Sequence, residues 1–91
     1  MPIYIRTLGY KLYFWSNENN EPIHFHIAKG NPSDNDTKIW VLSNGSFKIA
    51  HNKDQIPAKD LSKIFSIMQT YYQDFIQFWK TYFNTEISYY E

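Results

Sequence analysis

Phe47 to Phe65 reads FKIAHNKDQIPAKDLSKIF, and the spacing of its apolar residues changes partway along. FKIAH, Phe47 to His51, reads as the second arm of a hairpin, because the Asn44-Gly45 pair just ahead of it is the strongest short-range hairpin signal. NKDQIP then ends the strand region, since Pro57 suits the start of a helix and cannot donate to a continuing ladder. From Ala58 onward Leu61, Ile64, Phe65, Met68, Tyr72, Phe75, Ile76, Trp79 and Phe83 recur every three or four residues. That spacing lays one apolar stripe along a helix and leaves Lys59, Asp60, Lys63, Gln69, Gln73, Gln77 and Lys80 largely on its solvated side. No Gly or Pro interrupts Ala58 to Phe83, so a single long helix over residues 57–83 is expected, with 84–91 as a tail.

Upstream of Phe47 the pattern is that of short strands. In GYKLYFW, Gly9 to Trp15, the residues Tyr10, Leu12 and Phe14 share one face and Lys11, Tyr13 and Trp15 the other. In IHFHIAK, Ile23 to Lys29, the residues Ile23, Phe25 and Ile27 oppose His24, His26 and Ala28, as in a strand with one buried side. SNENNEP and GNPSDND are turns by composition, and TKIWVL supplies a further strand. The expected fold is α+β: an antiparallel sheet of three or four strands spanning about residues 9–51, with the helix packed on one face of a single domain, 1–91.

Composition supports that reading and excludes several functions. Seven Phe, eight Tyr and three Trp in 91 residues give large rings enough to build a core in a small domain. Nine basic residues balance nine acidic ones, so no global field draws the chain to nucleic acid or an anionic membrane, although a local patch on nucleic acid stays open. The absence of cysteine removes disulfides, thiolate nucleophiles and Cys-type zinc sites. Arg6 and Lys11 interrupt the apolar start, which resembles neither a signal peptide nor a membrane span, so a cytoplasmic location in a bacterial or archaeal cell is expected.

Chemistry concentrates at EPIHFH, Glu21 to His26. Histidines two apart on a strand point to the same side, so His24 and His26 can share a divalent metal ion if a further ligand joins them. Candidates are Glu18, Glu21, Asp34, Asp36 and His51. A second reading uses His24 and His26 without metal as acid and base of a small hydrolase or nuclease, with Glu21 orienting a ring. In a third the imidazoles are half-exposed strand residues packed on Tyr13, Trp15 or Trp40. The helix aromatics Tyr71, Phe78 and Tyr82 flank the main stripe, and this excess offers a surface for a homo-oligomer or a partner protein.

FWSNENNEPIHFHIAKG, then KIWVL, LSKI and FWKTYF together resemble the prokaryotic domain of unknown function 4160 family, over about Ile5 to Phe83. The resemblance implies a small cytoplasmic α+β protein with no assigned reaction. It also implies a setting beside another small protein that looks like a toxin–antitoxin pair. Glu21, Pro22, His24 and His26 fall on the family motif, while Asn20 stands where some members carry histidine.

Overall fold

A computed structural model of the chain describes residues 3–17 and 20–90. Five strands, β1 (Ile3–Thr7), β2 (Tyr10–Tyr13), β3 (His24–Ala28), β4 (Thr37–Val41) and β5 (Phe47–His51), form one antiparallel meander in sequence order. Helices α1 (Ala58–Thr70) and α2 (Tyr72–Phe83) follow. The α+β class stands, while the expectations of three or four strands and of one long helix are both corrected.

The additional strand is β1. It pairs with β2 through a two-residue turn in which Leu8 and Gly9 both have positive φ, 53° and 81°. That is the geometry of a tight hairpin, but Leu is rarely found in the left-handed region, so Leu8-Gly9 carries no Asn-Gly or Asp-Gly signature. The second turn does carry one: Gly45 sits at φ 90°, its N–H donates to Leu42 O at 3.3 Å, and Asn44 Oδ1 accepts from Ser46 N at 3.0 Å.

The helix breaks at Tyr71, with φ −106° and ψ 21°, although no Gly or Pro is near. Two neighbours account for the break. Thr70 Oγ1 donates back to Ser66 O at 3.2 Å, a bond that bends helices, and the Tyr72 hydroxyl donates to Leu42 O, drawing the start of α2 toward the β4–β5 turn. The apolar stripe survives the bend: Leu61, Ile64 and Met68 of α1 and Phe75 and Trp79 of α2 are all buried. They pack with Tyr10, Leu12, Phe14, Ile23, Phe25, Ile27, Ile39 and Val41 to form the core on one face of the sheet.

Polar bonds fix the edges of this packing. Asn52 closes the β5–α1 connection, its Oδ1 accepting from Ile56 N and its Nδ2 donating to Ile56 O, both at 3.0 Å. Tyr10 OH donates to Asp60 Oδ2 at 2.7 Å and so ties β2 to α1. That bond to a carboxylate, reinforced by burial, pushes the Tyr10 phenol up to about 12, which keeps it a donor across the neutral range. The described residues after α2, 84–90, dock on the domain. Asn84 terminates α2 in the left-handed conformation, Ile23 N donates to Ser88 O at 2.7 Å, and Ile87 and Tyr89 pack against the core.

Candidate functional site

The sheet register assembles the face that points away from the core. Tyr13, His26, Lys38 and His51 stand opposite one another across β2, β3, β4 and β5, and His24, Trp40 and Lys48 form the adjacent row. A third row, Arg6, Lys11 and Ala28, lies toward β1. Directly paired residues of an antiparallel ladder share a face, so the histidines are brought together with aromatic and cationic neighbours by strand pairing alone.

His24 and His26 occupy the inner layer of this face. His24 is 0% exposed, and its ring lies edge-on to Trp40, Trp79 and His26 with centroid separations of 5.7, 5.3 and 5.1 Å. Its Nδ1 is 2.9 Å from Pro22 O. A carbonyl only accepts, so Nδ1 carries the proton, and Pro22 sets the ring orientation as well as the strand entry. His26 retains 9% exposure and lies 5.3 Å from the Tyr13 ring at a 31° tilt. Tyr13 is itself buried, and its hydroxyl donates to the Asp36 carboxylate, which also accepts from Ser33 N at 2.9 Å.

Glu21 lies outside this layer. Its Oε1 accepts from Lys38 Nζ at 2.7 Å, where the expectation had it orienting a histidine. The ammonium group of Lys38 also sits 4.4 Å from the centre of the Trp40 ring. Among the described residues no three His, Asp or Glu groups converge to hold a metal ion. Asp34 is exposed, Asp36 is engaged with Tyr13, and Glu18 lies outside the described residues.

His51 closes the row at β5. Its Nδ1 is buried with no hydrogen-bond partner among the described residues. Burial holds its pKa below the usual 6.5, helped by the charges of Lys53, His26 and Lys38 and opposed by Asp54. A histidine lowered in the folded state stabilises the fold above the unfolded value of 6.5, and that contribution is lost as pH falls through the lower folded value. The urea midpoint is therefore expected to drop between about pH 7.5 and about pH 5, and His51→Asn is expected to shrink that drop. An equal drop in the variant would assign the acid sensitivity to other groups.

The outer layer of the face is aromatic and basic. Tyr90 stacks on Trp40 at 4.7 Å and 5°, leaving Tyr90 47% exposed, and Lys48 Nζ lies 5.3 Å from the Tyr90 centroid. Trp15 is half-buried and meets Tyr13 edge-on at 5.4 Å. Tyr90 and the pairing of Lys38 with Glu21 were not legible in the sequence, because neither follows from strand periodicity. Chemically the layers differ: the inner imidazoles are packed, while the outer rings and cations engage one another and keep part of their surface exposed.

The family model for a domain of unknown function, number 4160, matches residues 9–80. No curated protein and no solved structure matches the chain. Among the described residues no helix is long and apolar enough to cross a membrane.

Proposed function

The chain belongs to the domain of unknown function 4160 family, and from that premise we propose that it is a binding module of toxin–antitoxin type. In this reading the histidine-bearing face recognises a small protein partner. The observation that carries the reading is the layering of that face. His24 is wholly buried, edge-on to Trp40 on one side and to the core residue Trp79 on the other, so it shapes the surface, while Trp40, Tyr90, Lys38 and Lys48 form what a partner meets. Trp and Tyr with flanking cations are the residues that dominate protein interfaces, since rigid rings lose little entropy on burial.

The competing reading, a small hydrolase or nuclease using His24 and His26 with Glu21, needs imidazoles that reach a substrate atom. Both readings are decided by one set of proteins. With the product of the adjacent gene as partner, Trp40→Ala is expected to weaken binding by a factor of about 30, the effect of losing a central interface tryptophan worth about 2 kcal/mol. Unchanged binding in Trp40→Ala removes this face from recognition. RNA cleavage by the wild-type chain that His26→Ala abolishes would establish the hydrolase instead.

A further inference from the structure

Strand β5 is the last in the sheet order, and its outer edge carries no further strand among the described residues. Leu42 N–H donates to Ser46 O at 2.9 Å, and hydrogen-bonded pairs alternate along an antiparallel ladder, so Lys48 bonds inward to Trp40. The backbone groups of Phe47 and Ile49 then point outward. An open edge of this kind is a template for another strand, and the charge on β5 does not block it on the helix side, because its one lysine, Lys48, projects to the histidine-bearing face. On the helix face Ile49 is 42% exposed. Together with Ala58, Leu61, Ser62, Phe65 and Ser66 of α1 it borders an open groove of about 420 Å³.

We propose that a second copy of this chain covers the edge, with β5 pairing antiparallel to β5 about a two-fold axis at Ile49. The inference rests on β5 and α1 and is independent of what the histidine-bearing face binds. Self-pairing fits in three respects. Ile49 of each copy offers one outward N–H and one outward C=O, which the two-fold axis matches reciprocally. In that register Lys48 of one copy stands beside Ala50 of the other, so no like charges oppose, whereas centring on Lys48 would set the two lysines face to face. The groove lining contains no charged residue, and nine basic residues balance nine acidic ones, so the two copies meet without net repulsion.

The side chains complete the match. The two Ile49 residues lie directly opposite on the helix face, each filling space beside the other copy's Leu61 and Phe65, so that one contact closes two grooves. The irregularity between Lys38 and Ile39 leaves Ala50 as an extra residue that bends β5 beyond Ile49. The ladder is therefore short, and the dimer depends on the apolar contact at its centre.

Sedimentation and light scattering of the full chain at micromolar concentration are expected to give about 22 kDa, twice the 11.0 kDa of one chain. Ile49→Lys is expected to return the mass to 11.0 kDa with an unchanged far-UV spectrum, because the side chain is 42% exposed and its loss spares the core. A wild-type mass of 11.0 kDa at every accessible concentration, or a dimer that Ile49→Lys leaves intact, overturns the proposal. A second variant guards against misfolding. The chain has no cysteine, so an oxidised covalent dimer of Ile49→Cys can form only through that position, and hydrogen-bonded partners about 5.5 Å apart at Cα are within disulfide reach. Near-complete crosslinking in buffer and little in denaturant is the expected result; equal crosslinking in both would also overturn the pairing.

Discussion

Trp79→Ala is expected to cost about 3–5 kcal/mol of folding stability, the largest loss of any single substitution considered. Trp79 is 2% exposed and lies at the junction of three ring systems, 4.8 Å from Phe14, 4.7 Å from Phe83 and 5.3 Å from His24. Removing the indole leaves a cavity that rings on two different elements must collapse to fill, and neither the strand nor the helix can shift alone without losing its own packing. Domains of this size have about 5–15 kcal/mol in total, so the variant should melt roughly 15–30 °C lower or be partly unfolded at physiological temperature. Tyr82→Ala is the matched control. Tyr82 also touches Phe14 and Phe83, but it is exposed, and its loss should stay within about 1 kcal/mol. Equal losses in the two variants would show that the centre of the aromatic cluster lies elsewhere.

The parts of this architecture that were legible in the sequence are those with a strong period. The alternation of Ile23, Phe25 and Ile27 with His24 and His26 gives β3 and the two faces of the sheet, and the stripe from Leu61 to Phe83 gives the helical segment and the face it buries. What escaped has a local cause in each case. β1 is short and enters through Leu8, a residue that turn chemistry does not flag. The helix break depends on Tyr72 reaching Leu42, a contact between residues thirty positions apart, and no pattern within the helix encodes it. The docking of the tail rests likewise on the distant pairs Ile23 with Ser88 and Trp40 with Tyr90.

For the histidine face, sequence alone could say that His24 and His26 share a side, but not how deep they lie. Burial depends on the neighbouring strands and on α2. Tyr13, held by its bond to Asp36, lies against one flank of His26, and Trp79 approaches His24 from the helix. The same arithmetic explains Glu21. A residue beside a proline turn reads as a free carboxylate until strand pairing brings Lys38 to it. The motif Glu-Pro-x-His-x-His is thus distributed between an ion pair, a carbonyl acceptor and two packed rings.

That distribution makes His24 the most informative substitution at the site. His24→Ala is expected to destabilise the chain by about 3 kcal/mol, because it empties a fully buried position among Trp40, Trp79 and His26 and strips Pro22 O of its donor. His24→Phe separates the two terms: it restores most of the ring volume but leaves the carbonyl of half-buried Pro22 unpaired, for a loss of about 1 kcal/mol. A ring that serves packing should therefore be largely rescued by Phe, in stability and in partner binding together. A ring that serves proton transfer would not be rescued, since Phe has no nitrogen, and activity would vanish equally in both variants while stability recovered in one. The contact with Trp79 adds an internal check by double-mutant cycle. Side chains in contact couple by about 0.5–3 kcal/mol, so His24→Ala combined with Trp79→Ala should cost less than the sum of the two. Strict additivity would mean that the rings do not share one cavity, and the view of His24 as part of the aromatic layer would have to be abandoned.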